Sequence, residues 1–180
     1  MKKYLIVISL IFSISLSVNV HSAGVPDIGY REFKLGMQRI VAEKIVRDKY
    51  LNEYAVNFNA VAKKDKNIIE IKDKNIQNKY IFLYFNEKNN LYDIIVWAAY
   101  MDNIKYTVLV NQLVDKYKTP YSKRLDTGGY YHLGWVWDNK KYIIQCFYEA
   151  DIETVFITYS NNYLKEKYHK YLYGDGLEDF

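Results

Sequence analysis

Seven short apolar or alternating runs, each closed by a polar turn, constrain this chain more than any other feature. They cover 55–62, 67–72, 80–85, 91–100, 130–137, 142–148 and 154–159. Runs of that length and rhythm are strands. Lys63-Lys64-Asp65-Lys66, Asn86-Glu87-Lys88-Asn89-Asn90, Asp138-Asn139-Lys140 and Asp151 supply the turns between them, and such short polar links join neighbours as hairpins. Helical spacing replaces this rhythm in three places. Met37, Ile40, Val41 and Ile45, with Glu43, Lys44, Arg47 and Asp48 opposite, predict a helix over 38–50. Val108, Val110, Leu113, Val114 and Tyr117 predict a second over 104–117, ended by Pro120, and a third spans 162–171.

The order is helix, four strands, helix, three strands, helix. Hairpin links in place of crossover helices imply a largely antiparallel sheet with helices packed on it, an α+β fold. The stretches 30–101 and 102–173 repeat one helix-then-meander order, so two half repeats are expected, in layout and not in residue identity. Within 130–137, Tyr131, Leu133, Trp135 and Trp137 share one face, and Tyr130, His132, Gly134 and Val136 the other. Within 91–100 both faces are apolar, with Leu91, Ile95 and Trp97 on one and Tyr92, Ile94 and Val96 on the other. A strand apolar on both sides is central. Three helices suffice to cover one face of such a sheet, which leaves open what covers the second.

The N-terminus reads differently. Lys2 and Lys3 precede an apolar run from Leu5 to Val18, followed by Val20-His21-Ser22-Ala23, the pattern of a secretory signal peptide over 1–22. The run is short for a membrane span, and no later segment is long and apolar enough for one. Residues 23–180 are then a single exported domain, periplasmic or secreted. Without Lys2 and Lys3 the balance is 23 basic to 21 acidic residues, too even for a nucleic-acid partner. Lys63, Lys64, Lys66, Lys72, Lys74 and Lys79 cluster, but Asp65, Glu70 and Asp73 lie among them, as on a solvated hairpin tip.

The motif search returns mostly negatives. There is no GxGxxG, no GxxxxGK[ST] and no GxSxG, and no metal-ligand spacing among His, Cys and carboxylates, so neither metal nor cofactor is expected. Cys146 is the one cysteine. With His132 on a neighbouring strand it allows a thiol-dependent hydrolase as an alternative; burial as a small apolar residue is the simpler reading. Asp151 and Glu153 sit in a turn, where carboxylates are solvated. A small-ligand carrier with an apolar pocket between sheet and helices is a further alternative.

Twenty tyrosines are the positive oddity. A Lys-, Asn- and Ile-rich composition accounts for part of the excess. Tyrosine also offers rigid contact area with a hydroxyl at low entropic cost, so Tyr80, Tyr92, Tyr130, His132 and Tyr142 form the candidate binding surface.

Phe33-Lys34-Leu35-Gly36-Met37 runs straight into the first helix. The second half carries Leu113 to Tyr117 with Pro120, then Trp135-Val136-Trp137, Tyr142-Ile143-Ile144 and Ile157-Thr158-Tyr159. This layout resembles the group of small exported bacterial domains that includes β-lactamase-inhibitory protein and the SmpA/OmlA-type envelope lipoproteins. The resemblance implies a non-catalytic role in binding another envelope or secreted protein, and carries over no functional residue.

Overall fold

The computed structural model describes residues 27–62, 65–118, 120, 122–125, 130–138, 140–149 and 152–173, with 62, 65–66, 122–125, 130–131 and 168–173 described by their backbone alone. The signal-peptide segment 1–22, Asp151, the Gly128-Gly129 loop and the tail beyond Tyr173 lie outside these residues. Two short strands, β1 (Gly29–Tyr30) and β2 (Phe33–Lys34), form a ribbon before helix α1 (Arg39–Lys49). Four strands follow: β3 (Tyr54–Ala62), β4 (Asp65–Asp73), β5 (Lys79–Phe85) and β6 (Leu91–Ala98). Helix α2 (Asn103–Tyr117) leads into β7 (Ser122–Leu125), β8 (Tyr130–Trp137), β9 (Tyr142–Glu149) and β10 (Thr154–Asn161), and α3 (Asn162–Tyr173) comes last. The class is α+β. The main sheet has eight strands in the order β3-β4-β5-β6-β10-β9-β8-β7, every neighbouring pair antiparallel.

The sequence reading missed three strands. β1 and β2 are two residues each, too short for any periodicity to register. β7 reads Ser-Lys-Arg-Leu and has no apolar rhythm; it exists because β8 offers it an edge.

Local chemistry sets the helix ends. Asp102 caps α2, its Oδ1 accepting from Lys105 N–H at 2.8 Å. Lys118, at φ 67°, turns the chain out of the helix. Trp135 Nε1 then donates to the Lys118 carbonyl at 2.9 Å, and Tyr117 Oη donates to the Gly29 carbonyl at 3.1 Å, so one helix end is tied to both β8 and the N-terminal ribbon. The ribbon is close-fitting: a Cβ on Gly29 would stand 2.0 Å from the Phe33 carbonyl oxygen, a distance only glycine permits.

Alternation assigns the faces. Ile69, Ile71, Ile81, Leu83, Phe85, Ile94, Val96, Trp135, Ile144, Cys146, Tyr148, Val155, Ile157 and Tyr159 form one buried cluster with Ala42 and Val46 of α1 and Leu113 and Tyr117 of α2. This is the covered face. Leu91 belongs to it and not with Ile95 and Trp97, as simple alternation predicts. The register steps between Tyr84↔Asp93 and Phe85↔Leu91, inserting Tyr92 as an extra residue. Such a β-bulge reverses the facing of everything before it.

Helix α3 does not join α1 and α2. Lys165 Nζ lies 3.1 Å from Asp93 Oδ2, and Ser160 Oγ donates to Asp93 Oδ1 at 2.7 Å. Asp93 stands on the opposite face of β6 from Ile94, so two helices cover one face and the third crosses one end of the other. Asn161 caps α3, its Oδ1 accepting from Leu164 N–H at 3.2 Å. Tyr92 and Ile68 are buried to 2% and 1% exposure at the same end of that second face. The rest of it carries no helix among the described residues and is mostly half-buried, with Thr154 buried near the far end.

Candidate functional site

One line of register crosses the whole open face. Lys72 pairs with Tyr80, Tyr80 with Trp97, Trp97 with Phe156, Phe156 with Phe147, Phe147 with His132, and His132 with Arg124. Five aromatic residues on five successive strands thus stand side by side, with a cationic residue at the register position beyond each end. All five are half-buried, and Lys72 is exposed.

The rings stack on one another. His132 and Phe147 lie 4.3 Å apart at an interplanar angle of 4°, and Trp97 and Phe156 are 5.3 Å apart at 28°. Tyr80 closes on the other side of Trp97 at 5.5 Å and stacks with Phe82 at 10°. The Lys72 ammonium sits 5.4 Å from the Tyr80 ring centre. The His132–Phe147 and Tyr80–Phe82 pairs are nearly parallel, while Trp97 is inclined to both of its neighbours, by 34° to Tyr80 and 28° to Phe156. The Trp97 indole nitrogen is buried without an acceptor among the described residues.

The next row toward α3 falls away in size: Phe82, Ile95, Thr158, Gln145 and Gly134. On the other side, three loops close the end of the sheet. Ala99 N–H donates to the Asn78 carbonyl, and Met101 N–H to that of Glu153. These bonds gather the β4–β5 turn, the β6–α2 link and the β9–β10 turn, which carry exposed Ile76, Tyr100 and Ile152.

The five residues singled out from sequence separate. Tyr80 and His132 belong to the row. Tyr130 is described by its backbone only; it pairs with Glu149, two residues along β8 from His132. Tyr92 is buried at the bulge and offers a partner nothing. Tyr142 is corrected: it shares parity with Ile144 and Cys146 and packs against the covered-face core. Sequence reasoning missed Trp97, Phe156 and Phe147 as a unit. The shared parity of Ile95 and Trp97 was readable, but the register that aligns five strands was not.

Cys146 and His132 do not form a dyad. Cys146 pairs with Leu133 and Ile157 inside the covered-face core and is fully buried, whereas His132 stands on the open face. Burial pushes the Cys146 thiol up to about 12, the opposite of what nucleophilic attack requires. Among the described residues no group of three His, Cys, Asp or Glu side chains is gathered as metal ligands, and no helix is long and apolar enough to cross a membrane. Two clefts lie away from the row. One of about 500 Å³ is lined by Lys140, Lys141, Asn162, Tyr163 and Glu166. One of about 200 Å³ lies against α2, lined by Tyr106, Thr107, Val110, Val114, Pro120 and Leu133.

No family model, curated protein or solved structure matches the chain.

Proposed function

We propose that this protein is an exported, non-catalytic module that binds another envelope or secreted protein through the uncovered end of its open sheet face. The aromatic row carries this reading. Five adjacent half-buried aromatic residues, with the exposed apolar tips Ile76, Tyr100 and Ile152 at the same end of the sheet, form a surface whose burial would be strongly favourable. The Lys2-Lys3 start and the apolar run after it support export. The eight strands support an origin by duplication: 30–101 and 102–173 each supply a helix followed by a four-stranded meander, the second half adding α3 at its end, and the last strands of the two meanders, β6 and β10, pair at the centre. The same layout supports kinship with the β-lactamase-inhibitory-protein and SmpA/OmlA-like group.

The test is capture in intact cells with the full chain carrying a tag, in the native sequence, in Phe156→Ser and in Ile40→Ser. Ile40 is 78% exposed on α1, behind the covered face. A reproducible partner kept by Ile40→Ser and lost by Phe156→Ser is the expected result. Equal capture by both variants contradicts the reading.

A further inference from the structure

We infer that the cleft of about 200 Å³ beside α2 is a binding site for one small uncharged aromatic molecule, of the size of toluene or indole. It lies on the covered side of the sheet, away from the aromatic row, and does not depend on what binds there.

A comparison of the two covering helices locates the site. Each ends at a buried tyrosine bonded to the N-terminal ribbon: Tyr50 Oη donates to Glu32 Oε2 at 2.8 Å, and Tyr117 Oη to the Gly29 carbonyl at 3.1 Å. Three, seven and eleven residues before that tyrosine, the chain returns to one flank of each helix. On α1 this flank is Arg47, Glu43 and Arg39. Glu43 accepts from Arg39 at 2.8 Å and lies 3.9 Å from Arg47. The Arg47 guanidinium sits 4.3 Å from the Phe58 ring centre, and Arg39 donates to the Phe58 carbonyl. Strand β3 thus brings a phenyl ring to this flank, and a ladder of charges closes over it. On α2 the same positions are Val114, Val110 and Tyr106. The strand beyond, β7, has four residues to the nine of β3. Here the flank is apolar, and it borders the cleft together with Thr107, Pro120 and Leu133.

Volume and lining define the ligand. An apolar cavity of about 150 Å³ takes benzene, and pockets for drug-sized ligands begin at about 300 Å³. A cleft of about 200 Å³ therefore takes a single ring with few further atoms. Val110, Val114, Pro120 and Leu133 bring no polar side-chain atom to it, and the Thr107 hydroxyl donates to the Asn103 carbonyl at 2.7 Å. Tyr106, stacked on Tyr148 at 4.3 Å and 14°, is a fixed aromatic wall. No charged side chain is among the described lining residues. A charged ligand would lose its hydration there and gain no partner, whereas a neutral ring meets the kind of surface that Phe58 gives α1 in reverse.

The experiment titrates toluene into the full chain, in the native sequence and as Val114→Phe, Val114→Arg and Phe156→Ser, and follows Val and Leu methyl groups by NMR. Val114 is half-buried, and α1 carries an arginine at the matching position, so both Val114 variants fold; melting curves check this, and either variant alone decides. Toluene should shift the methyl signals of Val110, Val114 and Leu133 through its ring current. Its affinity should fall at least about tenfold on Val114→Phe, which fills the cleft, and on Val114→Arg, which charges it, and stay unchanged on Phe156→Ser. Benzoate and benzylamine should bind at least about tenfold more weakly than toluene. No toluene-dependent shift at those methyls, or affinity that survives the Val114 variants, would overturn the site. Loss on Phe156→Ser would place toluene on the aromatic row and overturn it equally. Benzoate or benzylamine binding as well as toluene would overturn the assignment of an uncharged ligand. N-acetylphenylalaninamide binding tenfold more tightly than toluene would give the cleft to a polypeptide side chain and overturn the free small molecule.

Discussion

The two faces of the eight-stranded sheet are built from alternate residues of the same strands, yet they finish differently. On β6, Ile94 and Val96 are buried under α1 and α2, while Ile95 and Trp97 between and beyond them face outward and stay half-buried. On β9, Cys146 is sealed in the core and Phe147 beside it lies in the aromatic row. Both faces are apolar. What separates them is the number of helices available: two cover one face fully, and α3 covers one end of the other. The difference teaches that apolar patterning alone does not mark a core. A strand apolar on both sides is central, as expected of β6, but the count of covering elements decides whether its second face is interior or interface.

Substitutions at neighbouring residues sharpen this contrast most. Ile94→Ala should cost about 3–4 kcal/mol, because it opens a cavity in a packed core, whereas Ile95→Ala should cost about 1 kcal/mol. Urea denaturation of the two variants measures both. Equal losses would mean that the open face is as tightly packed as the covered one.

Alkaline pH probes the same boundary. The folded state holds the Cys146 thiol up at about 12, against about 9 when unfolded. Between those values the unfolded chain has released a proton that the folded chain retains, so stability falls as pH rises, by about 1.4 kcal/mol per pH unit from this group. Burial also raises the Tyr159 phenol, steepening the fall at the upper end. Replacing Cys146 with Ala should flatten the decline that starts near pH 9, read as urea midpoints across the range. An unchanged slope would place the thiol in contact with water.

A smaller effect tests how α3 is held. Asp93→Asn removes the charge that Lys165 meets, and should cost about 1–2 kcal/mol, since Asp93 is buried but the Lys165 side chain is 38% exposed. Amide exchange should quicken in α3 and remain unchanged in α1 and α2. The smallest stability effect belongs to Lys72→Glu, within about 0.5 kcal/mol, even though it reverses the charge at one end of the row.

Much of this architecture was legible in the chain. Helical spacing placed the first two helices, and the closing range 162–171 the third, within a residue or two of their bounds, and hairpin turns gave an antiparallel sheet. Parity along 130–137 grouped Leu133, Trp135 and Trp137 on one face, which the structure turns to the core. The failures have identifiable causes. The bulge at Tyr92 inverted one end of β6, because one extra residue leaves no mark in composition. Tyr142 was misplaced because tyrosine suits both faces. The aromatic row itself was out of reach, since alternation fixes facing within a strand but not the register that aligns Tyr80, Trp97, Phe156, Phe147 and His132 across five strands.

The most direct test uses the adjacent residues Phe156 and Ile157, one on each face of β10. Each is replaced by cysteine in a Cys146→Ala background, and maleimide labelling is timed in purified protein and in intact cells. The account predicts fast labelling of Phe156→Cys in the purified protein and slow labelling in cells, where a partner covers the row. Ile157→Cys should label only as fast as the fold opens in both settings. Phe156→Cys labelling equally fast in cells and in isolation, or Ile157→Cys labelling as fast as Phe156→Cys, would contradict it.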